Sequence, residues 1–316
     1  MQPILPDTLT AALWATNLAV PLNGMNAWAA AIDARMAEAR AQGAEILVMP
    51  EYACAQWLSF APSGLAATEE IPWMAEQAPG AVEAIAGLAE KHEMALLAGS
   101  MPWWPEAQER GPEEAPADKP LNRAWLLLPD GRRYHQDKLC LTPSEQDPEG
   151  WDLDTGERIQ LVNWRGMKLA TMICLDVELP AAAARLAPHR PDLLLVPSMT
   201  ARLSGHHRVH SCARARAVEL QAAVLTVGCI GDAATGRPRE GNTGGAAVYL
   251  PSEPELGHTG IAAEHPAAAE TEGPGPMLLT RVPLGGIRTL RDGEAEVWPG
   301  AWQAEHLVIL EDREST

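Results

Sequence analysis

The chain has 316 residues, of which 47% are hydrophobic and 21% are charged, and its formal net charge at pH 7 is −18. This acidic excess argues against nucleic acid and anionic membranes as partners, because both need a basic protein surface. The hydrophobic fraction is enough for a large core, and no run of about 18 consecutive apolar residues predicts a membrane span. We expect a single domain over residues 1–316.

The first residues and the cysteines indicate the cellular compartment. The chain starts without the charged and apolar regions of a signal peptide, so we expect a cytoplasmic protein. Its five cysteines are scattered, with neither a CxxC pair nor the Cys/His spacing of a metal site. They should therefore be reduced thiols.

The first 50 or so residues predict a β-α-β unit. We expect a strand within 9–20, a surface helix over 24–42 that Gly43 ends, and a second strand over 45–49. Glu51 follows this second strand, so a carboxylate lies at its exit.

A long irregular stretch comes next. Residues 53–73 contain Trp57 and two further aromatic residues, and a loop of this length is typical of a lid or pocket wall. Packing in the core is the equally weighted alternative for these aromatic side chains. A second helix is predicted over 79–92 and a short strand over 95–99. Residues 101–120, rich in proline and glutamate, predict a surface insertion at the rim of a site.

A hairpin delivers a lysine and then a second carboxylate. The pair Asp130-Gly131 separates two β-runs, 122–128 and 132–138, which predicts a tight turn with Lys138 at the far end of its strand. Glu145 follows in a loop that contains a proline.

Cys174 occupies a strand-to-helix turn in this prediction. Residues 158–163 and 167–173 read as paired strands, and Pro180 suits the first turn of a helix. A side chain at such a turn is exposed at the end of a sheet, and nearby N–H groups lower the pKa of a thiol. The alternative is a buried structural cysteine.

The remaining elements are simpler. We expect a buried strand over 192–196, a helix over 211–221, a hydrophobic strand over 224–230, and edge strands over 246–250, 260–264 and 277–282. At most two of the three histidines between 206 and 210 can share a helix face. They have no evident acidic or cysteine partner, so we predict no metal site there. Arg216 and Glu219 should form a structural ion pair.

Three strand ends thus carry Glu51, Lys138 and Cys174, in that order. Taken alone, Glu51 and Lys138 could form an ordinary ion pair. Five segments of the chain carry a resemblance to a known family. They are Pro-Glu51-Tyr, Asp-Lys138-Leu with Pro143 and Glu145, Ile-Cys174-Leu-Asp176-Val-Glu-Leu-Pro180, Leu194-Leu-Val-Pro-Ser198 and 212–221. In these segments the chain resembles the carbon–nitrogen hydrolase family, or nitrilase superfamily, from about residue 9 to about residue 282. The resemblance implies an α-β-β-α sandwich and hydrolysis or transfer at a non-peptide C–N bond.

The resemblance also implies roles for the site residues. Cys174 would be the nucleophile, Glu51 the general acid and base, and Lys138 would stabilise the oxyanion together with the backbone N–H of Leu175. Glu145 would orient Lys138 and the attacking water. A carboxylate held near a second carboxylate in a dry pocket should have a raised pKa. This chemistry needs no metal and no organic cofactor.

Departures from the family pattern concern the substrate. Leu175 and Ala181 stand where the family often has an aromatic residue and a glutamate, and Leu220 replaces a frequent asparagine. Leu-Asp after the cysteine favours an amidase acting on a small amide or carbamoyl compound over a nitrile-cleaving enzyme. The candidate substrate-binding residues are Trp57, Glu178, Met199, Thr200 and His207.

Other readings stay open at this point. The chain could have nitrilase or N-acyl transfer activity, or it could be a non-catalytic interaction subunit that keeps the fold. The family resemblance implies a homodimer or a larger homo-oligomer, with a C-terminal tail over about 284–316 crossing the dimer interface.

Overall fold

Two six-stranded sheets form the centre of the molecule. The structure is a computed structural model that describes residues 5–105, 118–233 and 241–295. The strands are β1 (Leu9–Trp14), β2 (Ile46–Val48), β3 (Ala95–Trp103), β4 (Leu121–Leu127), β5 (Arg133–Asp137), β6 (Val162–Trp164), β7 (Met167–Thr171), β8 (Leu193–Ser198), β9 (Ala223–Gly228), β10 (Gly244–Tyr249), β11 (Ile261–Ala268) and β12 (Met277–Val282). The helices are α1 (Met25–Ala41), α2 (Glu70–Ile85), α3 (Leu88–Lys91), α4 (Pro143–Gln146), α5 (Pro180–Leu186), α6 (Leu203–Leu220) and α7 (Leu284–Thr289).

Each sheet has a parallel centre and antiparallel edges. The first sheet has the order β12-β1-β2-β3-β4-β5, and the second has the order β11-β10-β9-β8-β7-β6. Parallel pairing joins β1, β2 and β3 in the first sheet and β7, β8 and β9 in the second. The carboxyl ends of parallel strands are the usual place for a site in α/β proteins.

The two sheets stack face to face, with helices outside. In β1 the side chains of Leu9, Ala11 and Leu13 belong to the core between the sheets, whereas those of Ala12 and Trp14 belong to the core under α1 and α2. This alternation follows from the two-residue period of a strand, and it means that both faces of the first sheet are covered. Helix α6 covers the outer face of the second sheet. The predicted α-β-β-α sandwich is therefore confirmed.

Two helices begin earlier than the sequence predicts. Helix α2 starts at Glu70, so Pro79 lies inside it rather than at its start. Proline favours the first turn of a helix, but the buried face from Ile71 to Ile85 keeps this segment helical on both sides of it. The stretch predicted as a loop also contains a 3₁₀ helix over Ala53–Phe60. Helix α6 starts at Leu203, and it therefore contains all three neighbouring histidines.

The sheet edges also differ in part from the prediction. Strand β10 pairs with both β9 and β11, so it is not an edge strand. Strands β11 and β12 are edge strands as predicted, and β6 and β5 are the opposite edges of the two sheets. The hairpin of β4 and β5 and the ion pair of Arg216 with Glu219 are confirmed. In the described part of the chain, no helix is both long and apolar enough to cross a bilayer.

Two predictions fall largely outside the described residues. Strand β3 runs to Trp103 and β4 begins at Leu121, while the acidic centre of the predicted insertion, 106–117, is not described. The tail beyond residue 295 is not described either. A homo-oligomer with this tail at its interface stays a prediction.

Gly99 holds β3 against the exit of β2, and its replacement by alanine should destabilise the protein. The φ of Gly99 is +73°, and an added Cβ would lie 2.1 Å from the carbonyl oxygen of Pro50. Because this contact is with backbone, we expect Gly99→Ala to lower the free energy of unfolding by about 3 kcal/mol or more in urea titrations. It should also displace the adjacent Glu51.

Gly80→Ala is a matched control for that substitution. Gly80 lies in α2 with an exposed position and no atom within 4 Å of an added Cβ. Alanine is favoured over glycine inside a helix by about 1 kcal/mol, so this variant should be slightly more stable than the parent. Equal effects of the two substitutions would contradict the proposed close approach at Gly99.

Candidate active site

Four side chains with reactive groups meet at the strand ends, around one cavity. Glu51 follows β2, Lys138 follows β5, Cys174 follows β7, and Glu145 lies in α4. Each is 5% exposed or less. The cavity has a volume of about 470 Å³, and all four residues line it. Three distant segments of the chain thus bring sulfur, ammonium and carboxylate groups into one space.

The ammonium group of Lys138 joins the two carboxylates. Its Nζ lies 2.8 Å from Oε1 of Glu51 and 2.7 Å from both carboxylate oxygens of Glu145. Burial by itself lowers the pKa of Lys138, but the nearby Glu51, Cys174 and Glu145 outweigh it and raise that pKa. The lysine is therefore a fixed positive charge at neutral pH.

Helix α4 holds the second carboxylate in place. Oε2 of Glu145 accepts hydrogen bonds from the backbone N–H and the hydroxyl of Thr142, at 2.8 and 2.9 Å. This is a capping box, in which the third residue of a helix reaches back to the capping residue that precedes the helix. A local sequence motif thus fixes the group that holds Lys138.

Three hydrogen-bond donors hold the carboxylate of Glu51 beside Cys174. Its Oε1 accepts from Lys138 and, at 2.9 Å, from Nδ2 of Asn122, while Oε2 accepts from the backbone N–H of Met199 at 2.8 Å. Burial and the charge of Glu145 raise the pKa of Glu51, against the opposing effect of Lys138. The expected upward direction is confirmed for this carboxyl group. A raised pKa makes this carboxylate a stronger base, which suits a group that has to take a proton and return it.

The turn at Cys174 is a strained one, as a nucleophile elbow requires. Cys174 has a φ of 51°, in the left-handed region that non-glycine residues rarely adopt, and it opens a 3₁₀ helix over Cys174–Glu178. Its Sγ lies 3.7 Å from the carbonyl oxygen of Met199 and also interacts with Glu51. The predicted strand-to-helix position is confirmed.

The predicted direction of the thiol pKa is wrong. Burial and the negative charge of Glu51 raise the pKa of Cys174 well above its ordinary value, although Lys138 acts in the opposite direction. The local N–H groups that suggested a stabilised thiolate are outweighed, since the side chain is removed from water. The resting cysteine is thus a neutral thiol, and its proton must leave as the sulfur reacts.

The start of the 3₁₀ helix at Cys174 offers a backbone donor for an oxyanion. Leu175 lines the cavity as the second residue of the 3₁₀ helix. The first N–H groups of a helix have no intrahelical acceptor, so they remain free to bind a ligand oxygen. Together with the ammonium of Lys138, such an N–H makes a pair of donors suited to a developing negative charge.

Three of the five predicted substrate-binding residues line the cavity: Glu178, Met199 and Thr200. The other two lie elsewhere. Trp57 is fully buried and packs edge-on against Trp28 at 5.2 Å, so core packing accounts for it. His207 is an exposed residue of α6 and is not among the residues that line the cavity. The corrected position of that helix start explains the second difference, because the histidines are not in a strand-end loop.

The histidine pair on α6 is a packing feature. His206 and His210 stack at 3.9 Å between ring centroids, and Nδ1 of His210 lies 2.9 Å from the hydroxyl of Tyr249. Burial lowers the pKa of His206 to about 4 and that of His210 to about 3, so both are neutral at pH 7. Among the residues described, no three His, Cys, Asp or Glu side chains are grouped as metal ligands.

The sequence did not single out several residues that contact the reactive side chains or line the cavity. Asn122 binds both Glu51 and Glu145 from within β4, where a polar residue in an apolar strand was the available signal. Tyr52 and Trp151 pack edge to face at 4.7 Å and form a wall. The remaining lining residues are Thr142, Ser144, Ala201, Arg202, Ser204, Gly205, Arg208 and Asn242.

Sequence comparison shows that this chain is similar to a hydrolase family and to two curated proteins. The family model described as carbon-nitrogen hydrolase matches residues 21–252. A probable hydrolase of Bacillus subtilis, YhcX, is 28% identical over 177 residues, which are 56% of this chain and 32% of that protein. An (R)-stereoselective amidase of a Pseudomonas species is 32% identical over 111 residues, 35% of this chain and 38% of that protein. The matched segments therefore span about a third of each curated relative.

Structural comparison extends the similarity over nearly the whole chain. Nit3 of Saccharomyces cerevisiae, described as a member of branch 10 of the nitrilase superfamily, superposes with a TM-score of 0.67 at 19% identity. That match covers 94% of this chain and 98% of the other. An amidase from Nesterenkonia sp. superposes with a TM-score of 0.64 at 24% identity, covering 92% and 96% of the two chains. The shared feature is the fold.

Proposed function

The chain belongs to the carbon–nitrogen hydrolase family, and on that premise we propose that it hydrolyses a small amide or carbamoyl compound through a thioester on Cys174. The observation that carries the proposal is the buried contact of Lys138 with Glu51 and Glu145 beside that cysteine. An ordinary structural ion pair needs neither a strained cysteine nor a cavity of about 470 Å³ next to it.

Acylation begins with proton transfer from sulfur to carboxylate. Sγ of Cys174 attacks the carbonyl carbon as its proton moves to Glu51, whose raised pKa makes it a suitable acceptor. The carbonyl oxygen becomes an oxyanion, which Lys138 and the backbone N–H of Leu175 stabilise. When the C–N bond breaks, Glu51 returns the proton to the leaving nitrogen, and a thioester remains on Cys174.

Deacylation reverses the direction of proton flow. Glu51 takes a proton from a water molecule, the water oxygen attacks the thioester carbon, and the same donors stabilise the second oxyanion. Sulfur leaves and recovers the proton from Glu51, so the acid is released and the free thiol is restored. Glu145 remains bound to Lys138 throughout and keeps its ammonium beside the reacting oxygen.

The substrate class is supported by the size and chemistry of the cavity. Its lining includes polar side chains such as Thr142, Ser144 and Ser204, which suit a compact polar compound. Among the fold relatives, the Nesterenkonia amidase has been solved with butyramide and with an acetamide moiety on its active-site cysteine. These neighbours favour an amide over a nitrile.

A panel of matched substrates tests the proposal. Butyramide, N-carbamoyl compounds and butyronitrile would be incubated with the protein, and ammonia would be measured. We expect release from at least one amide or carbamoyl compound, and transfer of its acyl group to hydroxylamine as a hydroxamate. Faster release from butyronitrile than from butyramide would favour nitrilase activity instead. No ammonia from any compound, and no adduct on Cys174 by intact mass, would favour the non-catalytic subunit.

A further inference from the structure

Asp176 is a buried carboxylate beside the nucleophile that the proposed chemistry does not use. It lies two residues after Cys174 in the same 3₁₀ helix and is fully buried. Every hydrogen bond that the structure gives its side chain comes from a backbone N–H group. A carboxylate in such a place acts on backbone positions rather than on a second side chain.

The donors to Asp176 come from two separate segments. Oδ1 accepts from the N–H groups of Leu139 and Cys140, at 3.0 and 2.8 Å, and Oδ2 accepts from that of Ile173 at 3.1 Å. A longer contact of 3.2 Å joins Oδ2 to Leu139 as well. Leu139 and Cys140 follow Lys138, whereas Ile173 precedes Cys174. One carboxylate therefore bridges the segment of the lysine and the turn of the cysteine.

The sheets themselves do not make this connection. Strand β5, which ends before Lys138, is an end strand of the first sheet, and β7, which leads to Cys174, belongs to the second. No ladder of backbone hydrogen bonds joins strands of different sheets. The relative position of the two strand ends then depends on contacts between side chains and on bridges such as that of Asp176.

We infer that Asp176 is a positioning residue, whose carboxylate fixes the Lys138 segment against the Cys174 turn so that ammonium and sulfur act on one carbonyl group. The inference rests on the proposed function for its catalytic consequence. A misplacement of about 1 Å can reduce turnover about 100-fold, because the donor no longer meets the developing oxyanion. The bridge itself is a property of the fold and can be measured without any substrate.

Asparagine is the sharpest replacement for Asp176. An ionised carboxylate offers only acceptors, whereas the amide of asparagine has one oxygen and an NH₂ group that donates. Whichever way the amide turns, its NH₂ faces backbone N–H groups on one side. Asp176→Asn thus keeps the size of the side chain and breaks the bridge on one of its two ends.

The first measurement is hydrogen exchange of the backbone amides. In the wild type, the N–H groups of Leu139 and Cys140 should exchange slowly, although they lie beyond the last residue of β5. In Asp176→Asn their protection, or that of Ile173, should fall by at least about tenfold. Unprotected amides at Leu139 and Cys140 in the wild type would overturn the inference before any variant is made.

The second measurement separates turnover from reactivity of the thiol. With the best amide of the panel, Asp176→Asn should lower kcat about 100-fold and leave KM within about threefold. Alkylation of Cys174 by iodoacetamide should change by less than about threefold, since the S–C bond forms as iodide leaves, the thiol proton goes to Glu51, and no oxyanion appears. Parallel loss of both reactions would indicate a collapsed site and overturn the positioning role.

Two further variants complete the test. Asp192→Asn removes another buried carboxylate, which accepts from the backbone N–H of Lys168 at the opposite end of β8 and does not line the cavity. It should lose stability and keep its kcat. Asp176→Glu retains the acceptors on a longer side chain and should recover at least about tenfold of the lost kcat. The inference would be overturned if Asp176→Asn kept the wild-type kcat, or if Asp192→Asn lost as much kcat as Asp176→Asn.

Failure of the proposed function would look different. If the wild type releases no ammonia from any substrate, the hydrolase proposal fails, while the exchange measurement still decides whether Asp176 ties the two segments. If the enzyme is active and exchange at Leu139, Cys140 and Ile173 is unaffected by Asp176→Asn, only the positioning role fails.

Discussion

Replacing Cys174 with alanine should reduce amide hydrolysis by at least about 10⁴-fold and leave the fold intact. In the proposed mechanism the sulfur is the atom that forms the acyl intermediate, and the remaining groups cannot divide the reaction into two easier steps. The site would still bind substrate, because Lys138 and the Leu175 N–H do not depend on the thiol. Ammonia release at equal concentrations of folded protein, checked by circular dichroism, is the measurement.

Cys54→Ala is the matched control for this experiment. Cys54 is also a buried free thiol, but it does not line the cavity. Its truncation should lower stability by about 1 kcal/mol and leave kcat unchanged. The assignment of Cys174 as nucleophile fails if its alanine variant keeps more than a hundredth of the activity, or if Cys54→Ala loses as much.

Replacing Lys138 with methionine should affect both turnover and stability. Loss of the oxyanion donor should lower kcat by about 10³-fold. The variant also leaves Glu51 and Glu145 buried and facing each other without a cation, and breaking a buried ion pair costs about 3–5 kcal/mol. Urea unfolding at pH 8 and steady-state kinetics measure the two losses.

The stability loss in Lys138→Met should shrink as the pH falls. Burial and the charge of Glu145 already raise the pKa of Glu51, and the substitution removes the opposing effect of Lys138, so the folded variant binds more protons than the unfolded chain. Protonation then favours folding, and stability increases from pH 8 towards pH 5. A loss that is the same at both pH values would contradict the buried carboxylate pair.

A second substitution separates charge from catalysis in this variant. Adding Glu145→Gln to Lys138→Met removes one of the two facing charges. The double variant should recover about half or more of the lost stability at pH 8 and none of the lost kcat. Recovery of turnover along with stability would show that Lys138 acts only by holding the fold together.

Much of this molecule could be read from local patterns. Apolar runs predict the strands, Asp130-Gly131 predicts the hairpin, and Pro180 predicts the helix after the cysteine. Each of these features depends on a few neighbouring residues and on backbone geometry alone. The helix start predicted at Pro79 is wrong, because burial of one helix face outweighed the local preference of proline for the first turn of a helix.

The order of Glu51, Lys138 and Cys174 along the chain identified the site before its geometry was known. By itself the sequence determined which reactive groups stand at the strand ends, because strand exits are marked locally. Only the tertiary structure decided the burial of Trp57, the raised pKa of the cysteine and the role of Asp176 as a bridge. These depend on segments that are distant in sequence, and on the removal of water from between them.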